Sequence, residues 1–220
     1  MKRYYTCAIA ALALASQAAA ETVYAVDSRA LLISFDSKLP SFVKSIALIK
    51  GLQPGEGICG IDFRPANKKL YGLGSSSRIY TIDLETGQAT QVGTGSFTPA
   101  LDGTEFGFDF NPTVDRIRVT RDRGQNLRLH PDTGAVVATD IPLNYADGMA
   151  PGVAGSAYTN SVAGATSTTL YGIDVKRRAL VTQNPPNDGR LNVVRELLYL
   201  DLSNVLGFDI SPNTGGAYAI

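Results

Sequence analysis

The sequence predicts an all-β protein, a β-propeller of four-stranded antiparallel blades that forms an incomplete five-bladed ring. The first observation is a motif, GFDFNP at 107–112, which recurs at 60–65 and 207–212 and in degraded form at 155–160. These copies start 47, 48 and 52 residues apart, close to the length of one propeller blade. The second observation is that each repeat contains short segments rich in Ile, Val, Tyr, Phe and Thr, separated by turn residues. No sustained helical period interrupts these segments.

The first 20 residues have the three parts of a secretory signal peptide. Lys2 and Arg3 form a basic start, Cys7–Leu14 is a short apolar run, and Ala18–Ala20 supplies an A-x-A cleavage site. The apolar run is too short for a membrane span, which needs about 20 residues. We therefore expect an exported protein, periplasmic or extracellular, in which residues 21–220 form one propeller domain.

Charge and cysteine content narrow the possible partners. Without Lys2 and Arg3 the chain carries 18 basic and 20 acidic residues, a formal charge of −2. This balance gives no long-range field for nucleic acid or an anionic membrane, so we expect neither as a partner. Cys59 would be the only cysteine, and its place at a strand start indicates a small buried hydrophobe rather than a nucleophile. We expect an unknown ligand or protein as partner, and a monomer or association through sheet edges.

Each full repeat predicts four strands, A to D in chain order. In the second repeat they are Ile58–Phe63, Leu70–Leu73, Arg78–Ile82 and Gln88–Val92. The third repeat predicts Glu105–Phe110, Arg116–Thr120, Asn126–Leu129 and Ala135–Ala138, and the fourth predicts Val153–Tyr158, Thr168–Ile173, Ala179–Thr182 and Asn192–Arg195. The first repeat has only B, C and D, at Thr22–Val26, Leu31–Phe35 and Val43–Leu48. The last has only A and B, at Val205–Ile210 and Ala217–Ile220.

The incomplete first and last repeats allow two ways of closing the ring. Val205–Ile210 could pair with Thr22–Val26 and complete a fourth blade. Alternatively it pairs with Ala217–Ile220 and opens a fifth blade. Only a short turn separates the strands of this second pairing, and such local hairpins form readily. We therefore expect an open arc of a five-bladed ring, with exposed sheet edges and poor solubility.

The Asp of the repeated motif is the main candidate site. One hypothesis is a ring of carboxylates around a central channel that binds a metal or a sugar. The other is a structural role, which repetition favours because a catalytic residue is needed once and a blade-building residue in every blade. If A and B form hairpins, the three Asp residues lie opposite residues of strand B, as the pairs Asp62–Tyr71, Asp109–Arg118 and Asp209–Tyr218. We expect a buried ion pair for the second and hydrogen bonds to backbone N–H or Tyr hydroxyl groups for the others.

A basic cluster gives a second candidate, in which Arg121, Arg123 and Arg128 bind an anionic ligand. The alternative is that these side chains, with Arg116 and Arg118, pair with Asp residues of strands and turns.

Metal and catalytic motifs are weak. Asp109, Asn111 and Asp115 offer oxygen ligands but lack the spacing of a calcium loop. His130 is the sole His and lies in a turn, and no G-x-S-x-G motif accompanies it. We predict no metal site, no cofactor and no catalytic residue. The predicted function is a ligand-binding or interaction module; the alternatives are a metal-dependent hydrolase or lactonase-like propeller and a passive envelope component.

Four stretches resemble the secreted bacterial family catalogued as domain of unknown function 4394. They are GFDFNPTVDRIRV (107–119), QNLRLHPDTG (125–134), AYTNSVAGATSTTLYGID (157–174) and QNPPNDG (183–189). The resemblance runs from about Glu21 to the end of the sequence and implies an exported, propeller-like domain of uncharacterised activity. It implies no catalytic residues, and it implies further sequence beyond Ile220 in family members.

Overall fold

The computed structural model describes residues 20–198 and 207–220, and every strand in it belongs to an antiparallel sheet. The first sheet has three strands, β1 (Thr22–Val26), β2 (Leu31–Asp36) and β3 (Leu39–Leu48). The second has four, β4 (Ile58–Phe63), β5 (Leu70–Gly74), β6 (Arg78–Ile82) and β7 (Ala89–Val92). The all-β propeller predicted from the repeats is therefore confirmed.

The third and fourth sheets repeat the four-stranded plan. The third contains β8 (Phe106–Asn111), β9 (Arg116–Arg121), β10 (Asn126–Leu129) and β11 (Val136–Thr139). The fourth contains β12 (Val153–Tyr158), β13 (Leu170–Asp174), β14 (Ala179–Gln183) and β15 (Leu191–Glu196), with a 3-10 turn at Pro186–Asp188.

The last sheet has two strands, β16 (Phe208–Ile210) and β17 (Ala217–Ala219), which pair with each other. The pairing of β16 with β1 that would complete a fourth blade does not form between the described residues. Residues 205 and 206 of the predicted strand lie outside the described residues. Because this sheet has two strands rather than four, a complete five-bladed ring stays a prediction.

Glycines of the innermost strands let neighbouring blades approach closely. A Cβ on Gly60 of β4 would lie 2.7 Å from Cβ of Phe108 in β8. A Cβ on Gly155 of β12 would lie 2.7 Å from Cβ of Phe208 in β16. These distances are shorter than carbon atoms tolerate, so only glycine fits. The first residue of the repeated motif therefore has a packing role between blades.

Apolar residues between the blades form the core. One cluster lies between the second and third sheets and includes Leu73, Ile79, Phe110, Ile117 and Leu129, each at most 1 % exposed. Another joins the first and second sheets. A sheet that packs between two neighbouring blades buries side chains on both of its faces.

The first and last sheets are adjacent. The Glu21 carboxylate, one residue before β1, accepts hydrogen bonds from the hydroxyls of Ser211 (2.5 Å), Thr214 (3.1 Å) and Tyr218 (2.9 Å). The described blades thus follow a curve that brings the start of the first sheet into contact with the last sheet. Within the described residues, no helix has the length and apolar character needed to cross a membrane.

Candidate functional site

Three carboxylates from the inner strands of three different sheets lie close together. Asp62 (β4), Asp109 (β8) and Asp209 (β16) each place one carboxylate oxygen within 4.8 Å of the others. Asp109 is 2 % exposed and Asp62 is 8 % exposed, whereas Asp209 is exposed to solvent. Although Asp209 is the exposed member, desolvation raises the pKa of its carboxyl group as well, so burial acts on all three carboxylates.

The two buried carboxylates also hold neighbouring blades together. Asp62 accepts a hydrogen bond from the backbone N–H of Phe110 in the next sheet, at 2.7 Å. Asp109 accepts the equivalent bond from Tyr158 one sheet further, at 3.2 Å. Asp209 instead accepts from its own neighbour, Ile210, at 2.6 Å. Asp62 and Asp109 thus each link their own blade to the next one, whereas Asp209 bonds within its own strand.

Burial of the carboxyl groups and repulsion between their charges raise the free energy needed to ionise this cluster. Desolvation raises the pKa of Asp62 well above its ordinary value, and the negative charge of Asp209 raises it further. Desolvation likewise raises the pKa of Asp109, followed by the charges of Asp62 and Asp209. A buried charge is tolerated only when it is neutralised or paired. The cluster can do this by holding protons or by holding a cation.

The predicted registers are confirmed, but the predicted ion pair is wrong. Asp109 lies opposite Arg118 on adjacent strands, as expected. The Arg118 guanidinium nevertheless binds Asp140, with Nη1 2.6 Å from Oδ2, and donates to Asn126 and Asn187 at 2.7 and 2.8 Å. Asp109 bonds the backbone instead, because the long Arg side chain extends towards the connection after β11.

The registers of the other two Asp residues also hold. Asp62 lies opposite Tyr71, and Asp209 lies opposite Tyr218. The Tyr hydroxyls have other partners, since that of Tyr71 accepts from Arg64 at 3.2 Å and that of Tyr218 donates to the Glu21 carboxylate.

The three candidate anion-binding arginines have different surroundings. Arg128 binds both oxygens of Asp140, each at 2.8 Å. Arg121 is buried and contacts Asp102 at 2.6 Å. Arg123 is exposed in the turn after β9. Two of the three are thus engaged by carboxylates of the same chain, which matches the structural alternative.

The remaining candidates also have local roles. Asp115 pairs with Arg64 at 2.5 Å, and Asn111 accepts from Thr113, so the oxygens of the possible calcium loop are each engaged by a different partner. Burial, followed by the negative charge of Glu56, raises the pKa of Cys59 to about 11, which disfavours the reactive thiolate.

Sequence analysis missed Asp140. Its carboxylate is 6 % exposed and binds both Arg118 and Arg128. Desolvation opposes ionisation here, but hydrogen bonds from Arg128 and Arg118 outweigh it and lower the pKa of Asp140. Only the concentration of arginines in one repeat hinted that a buried acid was needed.

The stacked sheets and the inward-facing acids define a repeat-built β-propeller domain. The chain belongs to the family described as "Domain of unknown function (DUF4394)", whose family model matches residues 31–220. No curated protein shows significant sequence similarity to it.

Comparison of the chain with solved structures gives the following two matches. Glutaminyl cyclase of Myxococcus xanthus is similar with a TM-score of 0.57 and 11% identity, over 86% of this chain and 76% of that chain. PorZ, a surface component of the type-IX secretion system of Porphyromonas gingivalis, aligns with a TM-score of 0.44 and 16% identity, over 86% of this chain and 23% of that chain. At 11% identity the cyclase match establishes the propeller fold alone.

Proposed function

We propose that the protein is an exported ligand-binding β-propeller whose binding site is the carboxylate cluster of Asp62, Asp109 and Asp209. The observation that supports this most directly is the convergence of these acids within 4.8 Å, with one of them open to solvent. A calcium ion bonds its oxygen ligands at about 2.4 Å, so two of its ligands lie at most about 4.8 Å apart. The spacing of the cluster suits a divalent cation of this size.

A cation would also remove the electrostatic cost of the cluster. Asp62 and Asp109 are buried and repel each other and Asp209, which raises the pKa of both buried groups. A bound divalent cation replaces this repulsion with attraction and keeps all three ionised. The module would then bind its ligand in a cation-dependent way, through the exposed Asp209 side of the cluster.

Thermal unfolding in EDTA and in millimolar Ca²⁺ tests the proposal. A ligand at 100 times its Kd stabilises the folded state by about 2.7 kcal/mol, which raises Tm by roughly 5–10 °C in a domain of this size. Asp209→Asn should abolish the shift, whereas Asp147→Asn, at an exposed acid far from the cluster in sequence, should keep it. An unchanged Tm of the unsubstituted protein in Ca²⁺, Mg²⁺ and Mn²⁺ would reject a cation site.

A second candidate is a cation-dependent hydrolase, such as a lactonase. It is favoured by the exposure of Asp209, which would leave part of the coordination shell of a bound ion free for a substrate oxygen. Hydrolysis of a panel of lactones and phosphoesters, measured with Ca²⁺ and with EDTA, separates this candidate from a binding module. Turnover that depends on both Ca²⁺ and Asp209 would establish the enzyme.

The proposal includes export and a ring of five blades. Residues 1–20 resemble a signal peptide, so the mature protein should begin at Glu21. Mass spectrometry of the protein from its native host, with an intact Met1 as the contrary result, tests this step. The contact of Glu21 with the last sheet supports five blade positions, since it brings the first and last sheets side by side.

A further inference from the structure

Among the described residues, the first sheet has no counterpart of the innermost strand that the three complete sheets have. β4, β8 and β12 are inner strands, each paired with the second strand of its own sheet. In the first sheet β1 pairs with β2 alone, so its inner edge has no partner among the described residues. Two positions are compatible with this pairing: β1 is either the second strand of its blade or the innermost one.

Two contacts place β1 in the second position. The Tyr24 ring of β1 meets Phe63 of the next sheet edge-to-face, with centroids 5.4 Å apart. The ring of Tyr71, from the second strand of the second sheet, meets Phe110 of its next sheet in the same way at 5.1 Å. Tyr24 therefore occupies the place that Tyr71 has one blade further on.

Glu21 gives the same alignment independently. It immediately precedes β1 and bonds Ser211 and Tyr218 of the last sheet. Asp115 immediately precedes β9 and bonds Arg64, which in turn bonds Tyr71, of its preceding sheet. These equivalent contacts show that β1 packs against the last sheet in the same way as β9 packs against the second sheet. The part of the chain that the structure describes thus leaves the position of one strand, between β16, β1 and β4, without an occupant.

Within residues 20–198 and 207–220, no further inner strand follows β16 in the way that β8 follows β4 and β12 follows β8. Asp62 and Asp109 each accept a backbone N–H from the following inner strand. Asp209 turns back to Ile210 and is exposed. Gly60 and Gly155 each abut a Phe of the following inner strand, whereas a Cβ on Gly207 would meet, among the described residues, only Ile220 of its own hairpin, at 3.6 Å.

We infer that this place is a docking site for one extended polypeptide strand of the Gly-x-Asp-x-x-Pro type. The docked strand would pair with the inner edge of β1, set its Asp opposite Tyr24, and donate a backbone N–H to Asp209. Its glycine would let β4 approach, as Gly60 lets β8 approach. Addition of a strand to an open sheet edge is an established mode of peptide recognition.

No described copy of the motif is free to occupy this place. The chain carries the motif at 60, 107 and 207, with a degraded copy at 155, and all four copies already form inner strands. This inference rests on the five blade positions proposed above, but not on cation binding.

A peptide with the sequence of residues 105–112, EFGFDFNP, serves as the probe, and the titration is performed in EDTA. We expect saturable 1:1 binding, measured by fluorescence anisotropy, and a higher Tm. Hydrogen exchange should show new protection at Thr22–Val26. The same peptide with valine in place of its glycine should bind at least tenfold more weakly, because a side chain there clashes with the adjacent inner strand.

The site of protection distinguishes docking from unspecific edge pairing. Equal binding of both peptides, protection confined to Leu39–Leu48 of the exposed strand β3, or no binding at all would each overturn the inference. Because the titration contains no calcium, a lack of peptide binding would not contradict the proposed cation site. An unchanged Tm in Ca²⁺ would likewise not contradict peptide binding.

Discussion

Arg118 and Asp140 form a buried ion pair, with Nη1 2.6 Å from Oδ2 and side chains that are 2 % and 6 % exposed. The guanidinium of Arg118 also donates to Asn126 and Asn187, so it links the third sheet to the fourth. A buried cation of this kind is stable only while its acceptors remain. The pair therefore stabilises the contact between these two blades.

Asp140→Ala should lower the free energy of unfolding by about 3–5 kcal/mol, because it leaves the buried guanidinium of Arg118 without its carboxylate. Urea unfolding followed by circular dichroism measures the change. Asp147→Ala is the matched control, since Asp147 pairs with Arg177 but is 53% exposed. The control should lose less than about 1 kcal/mol. Equal losses in both variants would contradict a structural role for the Asp140 pair.

The pH dependence of stability should report the carboxylate cluster. The folded-state pKa of Asp109 is raised, so its contribution to stability is fully present below the ordinary Asp pKa of about 3.9 and is lost as pH rises through the folded pKa. In EDTA, Asp109→Asn should therefore gain stability relative to the unsubstituted protein as pH rises, by at most about 1.4 kcal/mol per pH unit.

The Asn side chain can still accept the N–H of Tyr158, so the comparison isolates the charge. Denaturant unfolding of both proteins at several pH values between 4 and 9 is the measurement. Asp147→Asn should show no such trend, because hydrogen bonds from Met149 and Arg177 lower the pKa of Asp147 instead of raising it. A constant difference between Asp109→Asn and the unsubstituted protein across this range would show that Asp109 keeps an ordinary pKa.

Much of the fold was predictable because the physical signals are local and repeated. Predicted bounds match the structure for Ile58–Phe63, Asn126–Leu129 and Val153–Tyr158. Strand β3 starts at Leu39 rather than Val43, although it contains Pro40. Proline is tolerated there because β3 is the edge of its sheet, and bulges at Ser34/Phe35 and Phe35/Asp36 adjust the pairing.

The candidate site was less predictable because its contacts come from connections between blades. Cross-strand register places Arg118 opposite Asp109, but its carboxylate partner, Asp140, lies in the segment after β11, where no regular register applies. The distances between Asp62, Asp109 and Asp209 depend on the angle between successive blades. A repeat length does not fix that angle, so the sequence favoured a structural role for the three Asp residues and predicted no metal site.

Gly60→Ala should destabilise the protein by about 1–3 kcal/mol, since its new Cβ would lie 2.7 Å from Cβ of Phe108 and force adjacent inner strands apart. Gly57→Ala is the control three residues earlier, where a Cβ meets no atom within 4 Å. The control should change stability by less than about 0.5 kcal/mol. Thermal and urea unfolding of the two variants should rank them clearly, and an equal effect would mean that β4 and β8 do not need the glycine.

The outer strand of the first sheet should dominate aggregation. Within the described part of the chain β3 pairs with β2 alone, and it exposes several apolar side chains, among them Phe42 at 69% and Ile46 at 62%. An exposed apolar edge strand can pair with the same edge of another molecule. Phe42→Lys and Ile46→Lys should therefore delay the rise of light scattering at high protein concentration, with stability unchanged because both side chains are already in water. Val114→Lys alters an equally apolar residue that is 54% exposed but lies in a turn, so it should leave aggregation as it is. If Val114→Lys delays aggregation as much as the β3 variants do, association depends on overall charge and not on this strand edge.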